Sequence, residues 1–312
     1  MVKSNSKGDT EKMQAAVLRP LAYFDIFRYP LKVEEIHCYL PVEMSKADLI
    51  NQLELLTERG IIFCQDGFYS LDSDFTLIDR RRRGNELAEK MMPAARRWAA
   101  FVAHFPFVQA VFFSGSLSKN FLTDGGDVDY FIITSPQRLW ICRTMLVMFK
   151  KIFLLNSKKY FCLNYFVAAD QPQIEEKNIF TATECTTLIP VCANGVATLF
   201  YDQNSWVKEY YPNNPIPAPL SGTRSNPLRT ISEWLLSGVL GDHLDERFMR
   251  FTMRHWQKKF GHLTDVDLEV AFKSRRYVSK HHPGNFQQRV IQAYIEKCQM
   301  LSRIYGIILP PV

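Results

Sequence analysis

The segment FSGSLSKNFLTDGGDVDYFII, residues 113–133, restricts the possible folds more than any other part of the chain. It joins two apolar runs through a polar stretch. The first run, VQAVFFSG (108–115), predicts a buried strand that ends in a tight turn. The second run, DVDYFIIT (127–134), predicts another strand because β-branched and aromatic residues dominate it. The pattern therefore indicates two strands of a sheet with polar side chains at their connection.

Glycine and serine at the turn are suited to hold phosphate. Gly115 lets a ligand approach the backbone without a Cβ in the way, and the hydroxyls of Ser114 and Ser116 add donors. Residues 117–121 are able to begin a helix, whose N-terminal N–H groups would face the same ligand. Lys119 is either a further phosphate contact or an exposed helix lysine.

Two carboxylates begin the second strand. The two-residue period of a strand places Asp127 and Asp129 on one face, where they would repel each other unless a cation lay between them. Oxygen ligands beside phosphates favour Mg²⁺, with Mn²⁺ as a substitute. The segment thus predicts phosphates at one end and a metal ion at the other.

Gly115-Ser116, ten intervening residues and Asp127-Val128-Asp129 resemble the active-site signature of the DNA polymerase β-like nucleotidyltransferase superfamily. The resemblance is specific for this segment and vague over the rest of the chain. It implies that the two acids hold Mg²⁺ and that the turn binds the phosphates of an NTP. It also implies transfer of a nucleoside monophosphate to an acceptor, which is an RNA, a protein or a small molecule.

The superfamily usually adds a third carboxylate on a later strand, as a metal ligand and in many members as the base. The next predicted strand, KYFCLNYFVAAD (159–170), has Asn164 at the inward position. Asparagine can ligate a metal but cannot accept a proton. Three alternatives remain open. Asp170, Glu175 or Glu176 supplies the third carboxylate, or two carboxylates are enough for catalysis, or the site binds a nucleotide without catalysing its transfer. The alternative function is therefore a nucleotide-sensing, nucleic-acid-binding or protein-binding regulator on the same fold; a toxin-like transferase is a weaker third hypothesis.

The first 84 residues resemble a winged helix. Their patterns predict helices over 12–30, 32–40 and 45–60, the last with Ser45 as N-cap and Gly60 as its end, and then a hairpin with its turn at Asp66-Gly67. This block carries 12 basic and 13 acidic side chains, so it offers little positive charge to duplex DNA. A docking or dimerising module is the preferred interpretation.

Positive charge is concentrated elsewhere. Residues 85–170 carry ten basic and six acidic side chains, which favours an anionic ligand, although so small a surplus is also usual for solubility. Four consecutive arginines, 80–83, are interpreted as a solvated run at a domain junction, with a nucleic-acid backbone contact as the alternative. A later basic segment offers candidates for phosphate or RNA binding, or is a solvated loop: Arg275, Arg276, Lys280 and His281.

Further along, helical patterns over 180–190 and 228–260 predict core-facing apolar stripes that include Trp234, Leu235, Phe248, Phe251 and Trp256. Residues 139–155 are apolar but interrupted by Arg143, Lys150 and Lys151, so they predict a buried helix and no membrane span. Seven scattered cysteines without a CxxC pair, and a polar N-terminus, indicate free thiols in a cytoplasmic protein.

Together these patterns predict an α+β fold with three parts. A winged-helix-like domain occupies residues 1–84, a nucleotidyltransferase-like mixed sheet flanked by helices occupies 85–175, and a mainly helical region occupies 176–312. The predicted site consists of Ser114, Gly115, Ser116 and Lys119 for the nucleotide, Asp127 and Asp129 for catalysis, and Asp127, Asp129 and Asn164 for the metal.

Overall fold

A computed structural model describes residues 3–157, 159–193, 195–215, 217, 227–261, 264, 271–280 and 285–310, with side chains from residue 10 onward. Along these residues, helices alternate irregularly with strands, and the strands form two sheets, one of three strands and one of six. The six-stranded sheet is mixed, because one of its strand pairs is parallel and the others are antiparallel. The predicted α+β class with a mixed sheet is confirmed.

The first block contains three helices and a small antiparallel sheet of strand order β1-β3-β2. Its elements are α1 (Lys3–Asp25), β1 (Leu31–Lys32), α2 (Val33–Cys38), α3 (Lys46–Glu58), β2 (Phe63–Gln65) and β3 (Phe68–Ser70). Ser45 caps α3 by accepting a hydrogen bond from the Asp48 N–H. The β2–β3 turn has positive φ at Asp66 and Gly67, as a tight hairpin requires. Local signals therefore predicted α2, α3 and the β2–β3 hairpin, whereas α1 spans Lys3–Asp25 and not 12–30, and β1 was not predicted.

Helix α4 (Thr76–Val102) begins in the first block and continues beyond it. The helix passes the expected junction at residues 84 and 85 without a break. The Leu122 N–H also donates to the Gly84 carbonyl oxygen, which ties the helix to the segment between the two main strands. The first block and the main sheet are therefore joined by a continuous helix and not by a linker.

Each of the four arginines of α4 has a partner within the protein, but only Arg81 is buried, whereas the other three are exposed to solvent. Arg81 is only 3% exposed; its guanidinium pairs with Glu35 at 2.7 Å and lies 3.7 Å from the centre of the Tyr29 ring. The other three arginines have partners at the surface. Arg80 donates to the carbonyl oxygens of Phe27 and Arg28, Arg82 pairs with the Asp66 carboxylate, and Arg83 pairs with the Asp124 carboxylate. These contacts join α4 to the first block and to the segment between β4 and β5.

The main sheet has the strand order β7-β4-β5-β6-β9-β8. Its strands are β4 (Val108–Ser114), β5 (Asp129–Thr134), β6 (Cys162–Ala168), β7 (Ile189–Ala193), β8 (Ser274–Arg275) and β9 (Val278–Lys280). Strands β4 and β5 are neighbouring inner strands, and β5 runs parallel to β6 through the crossover helix α5 (Leu139–Phe153). Three of the six strands come from the region after residue 175, which was expected to be mainly helical.

Both faces of this sheet are buried. Along β5, Tyr130 and Ile132 enter a core with α4 and α5, whereas Phe131 and Ile133 enter a second core with α1. The remaining described helices are α6 (Ile179–Thr187), α7 (Val196–Gln203), α8 (Val207–Tyr210), α9 (Pro227–Leu235), α10 (Val239–Lys259) and α11 (Phe286–Tyr305), and all of them except α9 contribute residues to these cores. Because successive residues of a strand point to opposite faces of the sheet, neighbouring residues of β5 pack into different cores.

The apolar residues of α9 and α10 are less buried than their periodicity predicted. Trp234 is 75% exposed, Leu235 58% and Phe251 72%, so the prediction that they lie in the core is wrong. Trp256 is buried, and Phe248 is partly buried against the same core. Periodicity identifies an apolar face of a helix but does not determine whether another element covers it.

The apolar helix α5 is partly exposed toward its end. Leu139, Trp140 and Leu146 are fully buried, whereas Phe153 is 69% exposed. Among the described residues, no helix combines the length and apolarity needed to cross a bilayer. All seven cysteines are free thiols; Cys142, Cys185 and Cys298 are buried and Cys64 is exposed.

The arginine run allows a matched test of buried and exposed ion pairs. We expect Arg81→Met to lower the free energy of unfolding by roughly 2–3 kcal/mol, because it leaves Glu35 without its buried partner. Arg82→Met removes an exposed pair with Asp66 and should cost about 0.5 kcal/mol or less. Urea unfolding of both variants measures the difference, and equal losses would contradict the arrangement described for α4.

Candidate functional site

The turn after β4 has the local geometry that a close approach to its backbone requires. Gly115 has φ +66°, a left-handed conformation that glycine adopts without strain. A single 3₁₀ turn follows over Leu117–Lys119 and ends at Asn120. The longer helix expected after the turn is absent here, so phosphate contacts at Gly115 would come from the turn itself and not from the N-terminus of a following helix.

The turn lies directly against the carboxylate of Asp129. Ser114 pairs with Asp129 across β4 and β5, and a Cβ built on Gly115 would lie 2.3 Å from Asp129 Oδ2. Real Cβ atoms do not approach an oxygen this closely. Glycine is therefore required here twice over, for its φ value and for the space that the carboxylate occupies.

Asn164 occupies the third position that was predicted from sequence. Its Nδ2 donates to Asp129 Oδ1 at 2.5 Å, and its Oδ1 lies 3.2 Å from the thiol sulfur of Cys162. Residues 163 and 165 pair with consecutive residues of β5, so Asn164 is an extra residue in β6. This bulge turns the amide toward Asp129.

Asp127 precedes β5, which begins at Asp129 and not at residue 127. Val128 and Tyr130 are fully buried in the opposite core, so the alternation places Asp127 on the side of Asp129. Its charge acts on Asp129, although Asp127 is not among the described residues that line the cavity below. The two carboxylates are thus neighbours with different degrees of enclosure.

Burial raises the pKa of the Asp129 carboxyl to about 6, and the negative charges of Asp127 and Glu184 add to this increase. Hydrogen bonding by Cys162 and Asn164 acts in the opposite direction. A buried carboxylate that is costly to ionise gains most from a nearby cation.

A cavity of about 470 Å³ contains most of the predicted site, a size typical of small-molecule sites. It lies between one face of the main sheet and the helices α1, α6 and α11. Six of the seven predicted site residues line it: Ser114, Gly115, Ser116, Lys119, Asp129 and Asn164. Eight of the described lining residues are aromatic, so the polar turn forms only one part of a largely apolar chamber.

Lys119 lines the cavity, but its ammonium already has protein partners. Its Nζ lies 2.9 Å from Glu184 Oε1 and 3.0 Å from the Gly115 carbonyl oxygen. A phosphate would therefore compete with Glu184 for this lysine. Glu184, on α6, was not predicted as a site residue, and its position in a threonine-rich helix gave no signal of one.

The first block contributes directly to the site. The Tyr29 hydroxyl donates to the Lys119 carbonyl oxygen at 2.6 Å, and Phe24 and Phe27 of the same block line the cavity. Arg80 lies over the Phe121 ring at the cavity wall. Sequence patterns did not indicate these contacts, because they join segments that are far apart in the chain.

Among the later candidates, Lys280 lines the cavity, whereas Arg275 and Arg276 are exposed and His281 lies outside the described residues. The carboxylates considered as substitutes for Asn164 also differ in position. Asp170 is exposed, and Glu175 pairs with Lys273 at 2.5 Å. Glu176 also pairs with Lys273, at 3.0 Å, and lines the cavity.

The donor set fits a hard cation only in part. In the part of the chain that the structure describes, no group of three or more histidine, cysteine, aspartate or glutamate side chains is arranged to hold a metal. Asp127, Asp129 and Asn164 could offer only oxygen ligands, and the Asn164 amide would have to turn to do so, because its Nδ2 faces Asp129 and its Oδ1 accepts from Cys162. Mg²⁺ commonly uses one or two carboxylates and completes its shell with water and substrate phosphate, which this arrangement permits.

Comparison with protein-family models, with curated proteins and with solved structures finds no match to this chain. The function therefore has to be argued from the site itself.

The two reasons for glycine at residue 115 can be separated by substitution. We expect Gly115→Ala to destabilise the protein by roughly 2–4 kcal/mol, because it adds a clash with Asp129 to the cost of a positive φ. Gly125→Ala is the matched control: Gly125 has φ +79° but no atom within 4 Å of the added Cβ, so about 1 kcal/mol is expected. Similar losses in denaturant unfolding would show that the contact with Asp129 is not restrictive.

The raised pKa of Asp129 predicts a pH-dependent stability of the metal-free protein. Because the folded-state pKa of about 6 lies above the unfolded value near 4, the native state binds more protons between these values and loses stability as pH rises through them. Asp129→Asn removes this loss. In EDTA, we expect the variant to gain roughly 1–2 kcal/mol relative to the wild type between pH 4 and pH 7.5. A constant difference across this range would contradict the shift.

Proposed function

We propose that the protein is a metal-dependent nucleotidyltransferase that moves a nucleoside monophosphate from an NTP to an acceptor. The observation that supports this most directly is the contact between the Gly115-Ser116 turn and the Asp129 carboxylate at one cavity. Phosphate-binding donors and a metal-binding carboxylate must be adjacent for a metal to bridge the protein and the phosphates. The two features are separate in sequence and adjacent in space.

In this proposal the chain's own residues have distinct roles. The turn and the hydroxyls of Ser114 and Ser116 bind and orient the phosphates, and Asp127, Asp129 and Asn164 hold Mg²⁺ or Mn²⁺. When bound, the ion would neutralise charge on the transferred phosphoryl group. The aromatic chamber excludes water, which would otherwise compete as an acceptor.

The transfer forms a bond between an acceptor oxygen and the α-phosphorus and breaks the bond from that phosphorus to pyrophosphate. The acceptor loses a proton, which requires a base. Asn164 cannot accept it. We propose Glu184 for this role, because its charge already acts on Asp129 and its carboxylate lines the cavity. A phosphate that drew Lys119 away would release Glu184 from its ion pair.

A second candidate function is nucleotide sensing without turnover. The observation that favours it is Asn164, an amide at the position where the superfamily usually has its third carboxylate. In both cases we propose that the first block, whose helices and hairpin follow the order of a winged helix, acts as a docking module. All four arginines at its end have partners in the protein, so they add little to any nucleic-acid surface.

Conservative substitutions test the enzymatic proposal. We expect Asp127→Asn or Asp129→Asn to abolish Mg²⁺-dependent transfer of label from α-labelled NTPs, because each removes a carboxylate ligand without changing side-chain volume. Ser116→Ala should weaken NTP binding by roughly 1.5–3 kcal/mol, the value of a hydrogen bond to a charged group. The readout is transfer to a panel of RNA, protein and small-molecule acceptors.

Asp124→Asn is the matched control for these variants. Asp124 lies in the same segment, but its carboxylate pairs with Arg83 on the surface, so transfer should continue. Transfer that survives both Asp127→Asn and Asp129→Asn would mean that the chemistry lies elsewhere. Mg²⁺-dependent NTP binding without transfer would favour the sensor, and activity gained by Asn164→Asp would then identify the missing carboxylate as its cause.

A further inference from the structure

The cavity has a second polar region, away from the Gly115 turn. Tyr165 of β6 pairs with Phe131 on one side and with Lys280 on the other, so these three residues form one row across the sheet. Asp129 lies two residues before Phe131 on β5. From the spacing of strands and of residues along them, Lys280 lies roughly 12 Å from Asp129. An extended nucleotide with its phosphates at the turn would bring its base into this region.

The hydrogen-bonding groups in this region are incompletely satisfied. Lys280 is 3% exposed and Gln287 8%, and the Lys280 ammonium donates to Gln287 Oε1 at 2.8 Å. Among the described residues, Gln287 Oε1 is the only acceptor for the Lys280 ammonium, so two ammonium hydrogens stay available. The Gln287 Nε2 group also has no hydrogen-bond partner among these residues. On the acceptor side, Glu176 Oε2 is buried and has no hydrogen-bond partner in the described structure. Buried polar groups in this state favour a ligand that completes them.

The charges in this region balance without a ligand. Lys273 and Lys280 are two cations, and Glu175 and Glu176 are two anions close to them; the charge of Glu176 acts on both lysines. A second phosphate or carboxylate would therefore find no unopposed positive charge. The group that fits is neutral, with hydrogen-bond acceptors for Lys280 and Gln287 and a donor for Glu176.

We propose that Lys280, Gln287 and Glu176 form a nucleobase-reading subsite that prefers pyrimidine nucleotides to GTP. The subsite offers more donors than acceptors, so it favours a base edge with more acceptors than donors. Cytosine presents two acceptors and one donor, and uracil presents two acceptors beside one donor. On its Watson–Crick edge guanine presents one acceptor and two donors, which leaves one of the lysine and glutamine donors unpaired, and its N7/O6 edge, with two acceptors, offers no donor to Glu176. This inference deepens the proposed function and depends on it.

Aromatic rings provide the apolar faces that a base needs. The Phe131 and Tyr165 rings are stacked, with centroids 5.3 Å apart and planes 27° from parallel, and form the floor beside Lys280. Phe286 and Phe180 line the same cavity in edge contact, with centroids 5.9 Å apart. Base stacking on such rings stabilises any base, so the polar groups supply the selectivity.

Binding measurements separate this subsite from the phosphate site. Calorimetric titrations of the full chain with Mg²⁺ would compare CTP, UTP, ATP, GTP and tripolyphosphate. We expect CTP or UTP to bind most tightly and GTP least tightly of the four nucleotides. Lys280→Met should weaken CTP and UTP binding roughly tenfold to a hundredfold, the effect of hydrogen bonds from a charged donor, and leave tripolyphosphate binding unchanged.

Two further variants keep the test decisive. Gln287→Leu should reduce pyrimidine selectivity even if Lys280→Met fails to fold, and thermal melting identifies such a failure. Lys90→Met removes an exposed α4 lysine that pairs with Glu86 on the surface, and controls for net charge. It should change no affinity.

Each result has a distinct meaning. GTP or ATP binding most tightly, or nucleotide affinities unaffected by Lys280→Met and Gln287→Leu, would overturn the subsite while the phosphate site stands. An equal loss of tripolyphosphate affinity in Lys280→Met would show that the lysine serves phosphate and not a base. If neither nucleotides nor tripolyphosphate bind, the proposed function fails and this inference fails with it.

Discussion

The close contact between Gly115 and Asp129 constrains the rest of the site. The Asp129 carboxylate lies where a Cβ on residue 115 would be, and Gly115 takes a left-handed conformation, so the end of β4 leaves room for the acid on β5. The bulge at Asn164 brings an amide to the other oxygen of the same carboxylate. Two neighbouring strands thus enclose one acid, and burial raises its pKa.

Enclosing a carboxylate costs free energy, which a bound cation would recover. The surroundings of Asp129 suit that exchange. Its polar neighbours are fixed by the sheet, whereas Glu184 and Lys119 hold each other and can be separated by a ligand. The charged groups at the site therefore pair with one another, and on the proposed function a nucleotide with its metal ion would rearrange these pairs more than the backbone.

Local sequence patterns were sufficient for α3, α5, the β2–β3 hairpin, strands β4 to β6 and the group of residues at the turn, but not for α4 or for strands β7 to β9. Strand alternation, the Asp66-Gly67 hairpin and the polar residues between β4 and β5 are short-range features, and the structure has them where they were expected. The enclosing contacts could not be predicted, because Tyr29, Lys280 and Gln287 reach the cavity from distant segments. The burial of Arg81 and the exposure of Trp234 also depend on packing between helices, which periodicity does not determine.

The hydrogen bond from Tyr29 to the Lys119 carbonyl oxygen links the evolution of the first block to that of the central sheet. Residues from the first block, the central sheet and the C-terminal helix surround one chamber, so none of the three can diversify alone. A change in ligand would demand matched substitutions in all of them. Related chains that keep the turn should therefore also show correlated variation between Phe24, Tyr29 and Gln287, and exchange of the first block between distant relatives should be rare.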